Sequence, residues 1–340
     1  MMLTGQQTWT FANKPVIIST GTVGGPFEAE GNIAEDFDLL HPDLYMEQDS
    51  FEKAHKVLLE KASQQAIDKA GLTKEQIQFF LAGDLINQIT PTSFSAKTLG
   101  TPYLGLFGAC STSMAGLALS AFLVNASGAN YVLTGASSHN AAVEKQFRYP
   151  TEYGGQKPPT AQWTVTGAGT ALLSNSGQGP VVTSATIGKV IDMGLNDPFN
   201  MGGAMAPAAV DTIEAHLNDL NLEPSYYDLI ITGDLGKIGR KISLDLFEKN
   251  GTNIPDENYV DCGLTIYRKE QHVNAGASGA GCSAVVTYGH FLNRMKRGEL
   301  NRILVVATGA LLSPLTTQQK ESIPCIAHAV AIESGGETTP

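Results

Sequence analysis

The chain has 340 residues and carries 22 Lys+Arg against 33 Asp+Glu, a net charge of -11. That length supports one large or two medium domains with a substantial buried core. That charge excludes attraction of the whole surface to nucleic acid or anionic lipid, and leaves only a local basic patch open.

The chain begins MMLTGQQTWTFANKP, which lacks the basic-then-apolar layout of a secretory signal. PVIIST and, further on, ANYVLTG are short apolar runs that predict buried strands. Between them, Phe51–Ala70 places Ala54, Val57, Leu58, Ala62, Ala66 and Ile67 at helical spacing, with Ser50 as N-cap and Gly71 as terminator. An apolar strand in TPYLGLFGA then gives way, at FGACSTS (Phe107–Ser113), to a small-residue helix in STSMAGLALSAFLV. A thiol at that first turn, Cys110, feels the positive end of the helix dipole, which favours thiolate. The same cysteine can instead line a pocket as a small hydrophobe. Pocket lining is preferred here, because its small neighbours, Ser111 among them, let a ligand approach the backbone. The amides of Ala109 to Thr112 are then expected to point at a carboxylate.

The longest apolar run, Ala115–Val124, falls short of the ~20 residues that span a bilayer. Membrane association is therefore expected to be peripheral or through a partner. The four cysteines, Cys110, Cys262, Cys282 and Cys325, show no paired spacing, which points to free thiols in a reducing compartment. The last residues, ESGGETTP, read as a frayed tail.

The sequence repeats itself. LTKEQIQFFLAGDL and LEPSYYDLIITGDL align without a gap, Leu72 against Leu222, at an offset of 150. SAFLVNASGANYVLTGAS and GHFLNRMKRGELNRILVVATGALLS share helix, turn, strand and Thr-Gly-Ala, with Phe122-Leu123 set against Phe291-Leu292, 169 positions on. Counting back from those pairs, Gly279 takes the place that Cys110 holds in the first half. Strand-helix alternation, doubled, predicts two packed α/β halves with mainly parallel sheets. The boundary falls in SNSGQGP, which gives halves 1–178 and 179–340.

A duplicated chain with a cysteine at the first strand-to-helix turn resembles the thiolase and ketoacyl synthase superfamily, as do TGAS, WTVTGAGTALLS and VVATGALLSP. Within it, GGPFEAEGNIAEDFDLLHPDLYMEQDSFEKA (Gly24–Ala54) is similar to the stage V sporulation protein AD family of spore-forming bacteria. That resemblance implies a thiolase-like α/β fold of two duplicated halves packed in layers. It also implies a role in moving dipicolinic acid, pyridine-2,6-dicarboxylate, or its calcium chelate into the developing spore. Other membrane proteins of the same sporulation operon are the implied partners, at the spore inner membrane, with the chain itself peripheral and soluble when expressed alone. Superfamily relatives usually dimerise through the first-half strand near NYVLTG, which implies a homodimer.

The resemblance also shows what is displaced. The ketoacyl synthase III pattern has a histidine where this chain has Gly233, followed by Asp234. Thiolases have His-Pro shortly before Gly-Ala-Ser-Gly; here the stretch is EQHVNAGASGAG, so His272 is one residue out of register and no proline follows it. Where the second thiolase cysteine belongs, Ala307 stands. His272 with Asn274 remains as a shifted pair. Proton transfer contributes typically ~10²–10⁴-fold to such chemistry, so a vestigial Cys110 without partners is expected to bind rather than catalyse.

A rigid aromatic dianion wants an aromatic slot and positive groups at each carboxylate. Ser137–Gly167 reads as a loop that collects His139, Lys145, Arg148 and Lys157 with Tyr149, Tyr153 and Trp163 in an otherwise acidic chain. His139, Arg148, Tyr149, Lys157 and Trp163 are the ligand-binding candidates from it, beside Cys110, Ser111, His272 and Asn274. No cofactor is expected. Calcium would be carried by the ligand, and AEDFDLLHPD (Ala34–Asp43) reads as a solvated turn rather than a metal loop. The rival readings are a cysteine-dependent acyltransferase or condensing enzyme, and an assembly scaffold with a vestigial pocket.

Overall fold

A computed structural model describes residues 2–147 and 157–335. Its frame is ten strands. The first half supplies β1 (Val16–Gly24), β2 (Phe79–Gly83), β3 (Tyr103–Gly105), β4 (Tyr131–Ser138) and β5 (Gly167–Ser174). The second supplies β6 (Val181–Ile187), β7 (Leu229–Thr232), β8 (Tyr259–Asp261), β9 (Arg302–Ala310) and β10 (Cys325–Glu333). They pair in the order β8-β7-β9-β10-β6-β1-β5-β4-β2-β3, with short strands at Leu3–Thr4, Thr8–Thr10 and Leu39–Leu40 on the margins.

Outward from the β6–β1 joint, each half runs first, fifth, fourth, second, third. The pairing sense repeats too. β4, β2 and β3 pair in parallel while β5 is antiparallel to β1 and β4. Likewise β9, β7 and β8 are parallel while β10 is antiparallel to β6 and β9. In each half all strands but one run the same way, and the reversed strand is the last. The duplication read from two ungapped matches is therefore a duplication of topology. The joint between the halves is thin: β1 and β6 pair only at Val16 and Val181.

The main helices among the described residues are α1 (Phe51–Lys69), α2 (Thr90–Leu99), α3 (Thr112–Asn125), α4 (Asn140–Phe147), α5 (Met201–Leu220), α6 (Gly236–Asn250) and α7 (Ala280–Val285), with short ones at Cys262–Thr265 and Pro314–Gln318. A π turn, Val286–Phe291, carries α7 on into Leu292–Lys296. α1 covers β1, β4 and β5, while α5 covers β9 and β10 and packs on α6. α3 lies between, touching β2 and β4 of one half and β9 and β10 of the other, with α7 beside it.

That central position explains its sequence. A helix with apolar neighbours on all sides needs no polar stripe, and Met114, Leu117, Ala118, Ala121 and Val124 are all buried. Removing the Leu117 side chain would cost about 2–5 kcal/mol. The strands read as continuous apolar runs for the same reason: β9 is buried from Ile303 to Ala310. α1 matches its predicted span, and Ser50 caps it by accepting from the Lys53 amide at 3.3 Å. Its buried face includes Leu59 rather than Val57, which is half-buried.

The segment after β4 departs from expectation. It opens as a helix, α4, because Asn140 ties its start to Thr166 Oγ1 and the Thr164 carbonyl at 3.0 and 3.1 Å. Ala142 and Val143 on that helix are buried. Arg148, Tyr149 and Tyr153 lie outside the described residues.

Candidate functional site

The chain leaves β3 at Gly105 and turns sharply into α3. Ala109 takes φ +50°, a left-handed conformation uncommon for a side chain with a Cβ. Hydroxyls hold the turn: Ser111 Oγ donates to the Gly108 carbonyl at 2.6 Å, and Thr112 Oγ1 donates to that of Ala109 at 2.7 Å. The amides of Ser111 and Thr112 bond the same two carbonyls, at 3.0 and 3.3 Å. Those two amides are thus consumed inside the turn and do not point at a ligand, which corrects the expectation for Ser111 and Thr112.

Cys110, 7% exposed, sits at the floor of a cavity of about 360 Å³. Its walls are mostly apolar. Phe107 comes from the turn, Val143 and Phe147 from α4, Phe199 and Met201 from the approach to α5, and Ala310 and Leu312 from the end of β9. Thr164, Ser278 and Thr317 supply hydroxyls.

The group facing the thiol is Asp234, just past β7 and 1% exposed. Gly279, immediately before α7, donates its amide to Asp234 Oδ2 at 3.0 Å, and Thr308 of β9 donates to Oδ1 at 2.8 Å. Gly279 has φ +112°, and a Cβ there would meet Ser138 Oγ at 2.7 Å, so only glycine brings that amide so close. Gln162 fixes the backbone by donating to the Asp234 and Ala277 carbonyls at 2.7 and 2.8 Å. Beneath lies a second buried carboxyl, Asp261, which accepts from the Leu235 and Gly236 amides at 2.8 and 3.0 Å and from Thr232 Oγ1 at 2.6 Å.

Burial pushes the Asp234 carboxyl up to about 7, although its three donors pull the other way. Burial, with the Asp234 carboxyl opposite, pushes the Cys110 thiol well above its ordinary value. A helix dipole is worth roughly 0.3–1 kcal/mol at an exposed site. Desolvation and a facing acid outweigh that, so the sequence argument for a thiolate is overturned and Cys110 is a protonated thiol at neutral pH.

The predicted partner positions shift by one residue. A Cβ at Gly233 would meet the Ala307 backbone at 3.0 Å, so position 233 looks into the core and position 234 looks at the cysteine. His272 and Asn274 are exposed on the loop before α7, both with left-handed backbones at φ 49° and 55°. They do not line the cavity; Ser278, further along the same loop, does. His139 is fully buried away from it, with Nε2 donating to the Leu44 carbonyl at 2.9 Å and Nδ1 facing the Ala142 amide. Burial lowers its pKa to about 4, so it is a neutral brace for α4. Lys157 pairs with Glu144 at 2.9 Å and lies over the Trp163 ring at 4.9 Å, and Trp163 packs on Phe27. These two form a patch apart from the cavity walls. Ser111 is buried with its hydroxyl turned into the turn itself. Of the described candidates, only Cys110 lines the cavity. Asp234 was missed as a site residue, although the repeated Gly-Asp-Leu already marked it.

The acidic stretch after Gly31 is no solvated turn. Asp36 accepts from His290 Nδ1 at 2.7 Å and Asn293 at 3.0 Å, and Asp38 accepts from the Thr22 amide at 2.8 Å. Glu28, buried, accepts from the Thr166 amide at 3.0 Å and from the Tyr267 hydroxyl. This N-terminal segment is a strap over β1 and the π turn. Among the described residues no three His, Cys, Asp or Glu side chains are grouped so as to hold a metal ion.

Residues 5–333, the strap among them, match the family described as stage V sporulation protein AD. The chain belongs to that family. It is 49% identical over 336 residues to the stage V sporulation protein AD of Bacillus subtilis (strain 168), covering 99% of both chains. Among solved structures it is similar to 3-oxoacyl-[acyl-carrier-protein] synthase III from Aquifex aeolicus VF5. There the identity is 13% and the TM-score 0.58, over 94% of this chain and 99% of that one. It is also similar to a variant of OleA from Xanthomonas campestris, at 13% identity and a TM-score of 0.62, over 95% and 97% of the two chains. Those likenesses establish the thiolase-like fold of this member of the sporulation family. No described helix is long and apolar enough to cross a membrane.

Proposed function

We propose that this sporulation protein is a non-catalytic binding protein for dipicolinic acid or its calcium chelate, which it holds over Cys110 during loading of the developing spore. Its partners would be membrane proteins of the same operon at the spore inner membrane. The reading rests on one observation: the cavity is kept, while the group facing its cysteine is a buried carboxyl. A carboxyl there raises the thiol pKa, and acyl transfer needs a thiolate with a base to move protons. A cavity with Phe107, Phe147 and Phe199 in its walls suits a flat ring, and the Thr164 and Ser278 hydroxyls suit a carboxylate as donors. Calcium would arrive with the ligand, whose carboxylates already supply part of its ~6–8 oxygens.

The second reading, a cysteine acyltransferase, is favoured by the condensing enzymes that share the fold and by the position of Cys110 at the cavity floor. Two measurements separate them. Calorimetry with dipicolinate, with and without calcium, is expected to show saturable binding that Cys110→Trp abolishes by filling the cavity. Incubation with acetyl-CoA followed by intact mass is expected to show no adduct. Turnover that disappears in Cys110→Ala would decide for the enzyme.

A further inference from the structure

The binding reading uses Asp234 only to silence the thiol and gives it no role toward the ligand. Asp234 follows β7, is buried against the Cys110 thiol, and is not itself among the cavity walls that Cys110 helps to line. The titratable groups packed around it are Cys110 from the turn before α3, Asp261 from β8 with Cys262 next to it, Cys282 from α7 and Cys325 from β10. None is a cation. None of the cavity wall residues named among the described ones carries a positive charge. A carboxylate ligand entering this space meets an acid beneath the thiol in a site of low dielectric, where like charges repel strongly.

We infer that Asp234 sets the charge state in which the cavity takes its ligand: a carboxylate ligand enters together with one proton from solvent, which neutralises the carboxyl beneath Cys110. The hydrogen bonds around Asp234 leave room for that proton. Thr308 Oγ1 can rotate to accept from a protonated Oδ1 at 2.8 Å, and the Gly279 amide still serves Oδ2.

The inference rests on the binding reading, and the sign of the effect follows from linkage. Burial already holds the empty site's Asp234 near 7, and an anion above it raises that value further. Affinity is then full below about pH 6 and falls by up to tenfold per unit as pH rises past 7, until the raised value is passed.

The test is calorimetry with calcium-free dipicolinate at pH 6, 7 and 8, repeated at pH 8 in two buffers of different ionisation enthalpy. The dissociation constant is expected to rise about tenfold from pH 6 to pH 8, with close to one proton taken up at pH 8. Asp234→Asn, which copies the protonated shape, is expected to bind at pH 8 as tightly as the parent at pH 6 and to lose the slope. The calcium chelate, whose charges cancel, is expected to show a shallower slope. Binding that is flat with pH and takes up no proton overturns this inference and leaves the binding reading intact. So does a slope kept in Asp234→Asn or shared equally by the chelate. An absence of binding at every pH removes both.

Discussion

Gly83-Asp84-Leu85 and Gly233-Asp234-Leu235 stand at the same place in the two halves, just past the second strand, yet their carboxyls keep different company. Asp84 is wholly spent on structure. Its Oδ1 accepts the Ile86 amide at 2.7 Å, and its Oδ2 accepts both the amide of Thr92 at 2.9 Å and its hydroxyl at 2.5 Å, which fixes the start of α2. In the second half the matching task, holding the start of α6, has passed to Asp261. That leaves Asp234 with one backbone donor, one rotatable hydroxyl and a thiol. The two halves hold equivalent acids, and a third carboxyl on β8 leaves one of them to face Cys110.

Asparagine at the two positions breaks the comparison open. Asp84→Asn turns an NH₂ toward an amide that can only donate, and is expected to destabilise the fold by about 2–4 kcal/mol in chemical denaturation. Asp234→Asn is expected to do the reverse, a gain of about 1–2 kcal/mol at pH 8, because an amide meets all three partners without a buried charge. Equal losses at both sites would dissolve the distinction.

The pH dependence sharpens it. Burial raises Asp84 to about 6, and Asp234 and Glu28 to about 7, from ordinary values of 3.8, 3.8 and 4.5. Between those limits the folded chain holds protons that the unfolded chain has released. Stability therefore falls as pH rises from about 4 to 7 and levels off above, and Asp234→Asn is expected to make that fall shallower without abolishing it. The smallest effect concerns the thiol. Removing the facing acid lowers the Cys110 pKa, so iodoacetamide labelling at pH 8 is expected to speed up about three- to tenfold in Asp234→Asn and to stay at the parent rate in Asp84→Asn. Labelling unchanged in both would place the thiol's inertness in burial alone.

Much of this was legible in the chain. Two ungapped repeats announced the duplicated topology, the periodicity of α1 gave its span and cap, and FGACSTS marked the strand-to-helix turn where the cavity lies. The same reading placed Lys157 and Trp163 with the cavity, because basic and aromatic residues on one segment look like one site. Lys157 instead lies with Glu144 and over Trp163, at a distance that no spacing encodes.

What the sequence determined by itself is what depends on near neighbours along the chain: strands, helices, caps and the repeat. The tertiary structure alone decided which carboxyl faces the cysteine and whether that cysteine ionises. Position 233 or 234 is a matter of which side of one strand end is filled by β9. A thiolate or a thiol is a matter of burial and of an acid brought in from 124 positions away along the chain, Cys110 to Asp234. Both are settled by packing between halves, where desolvation exceeds the local helix dipole that the sequence displays.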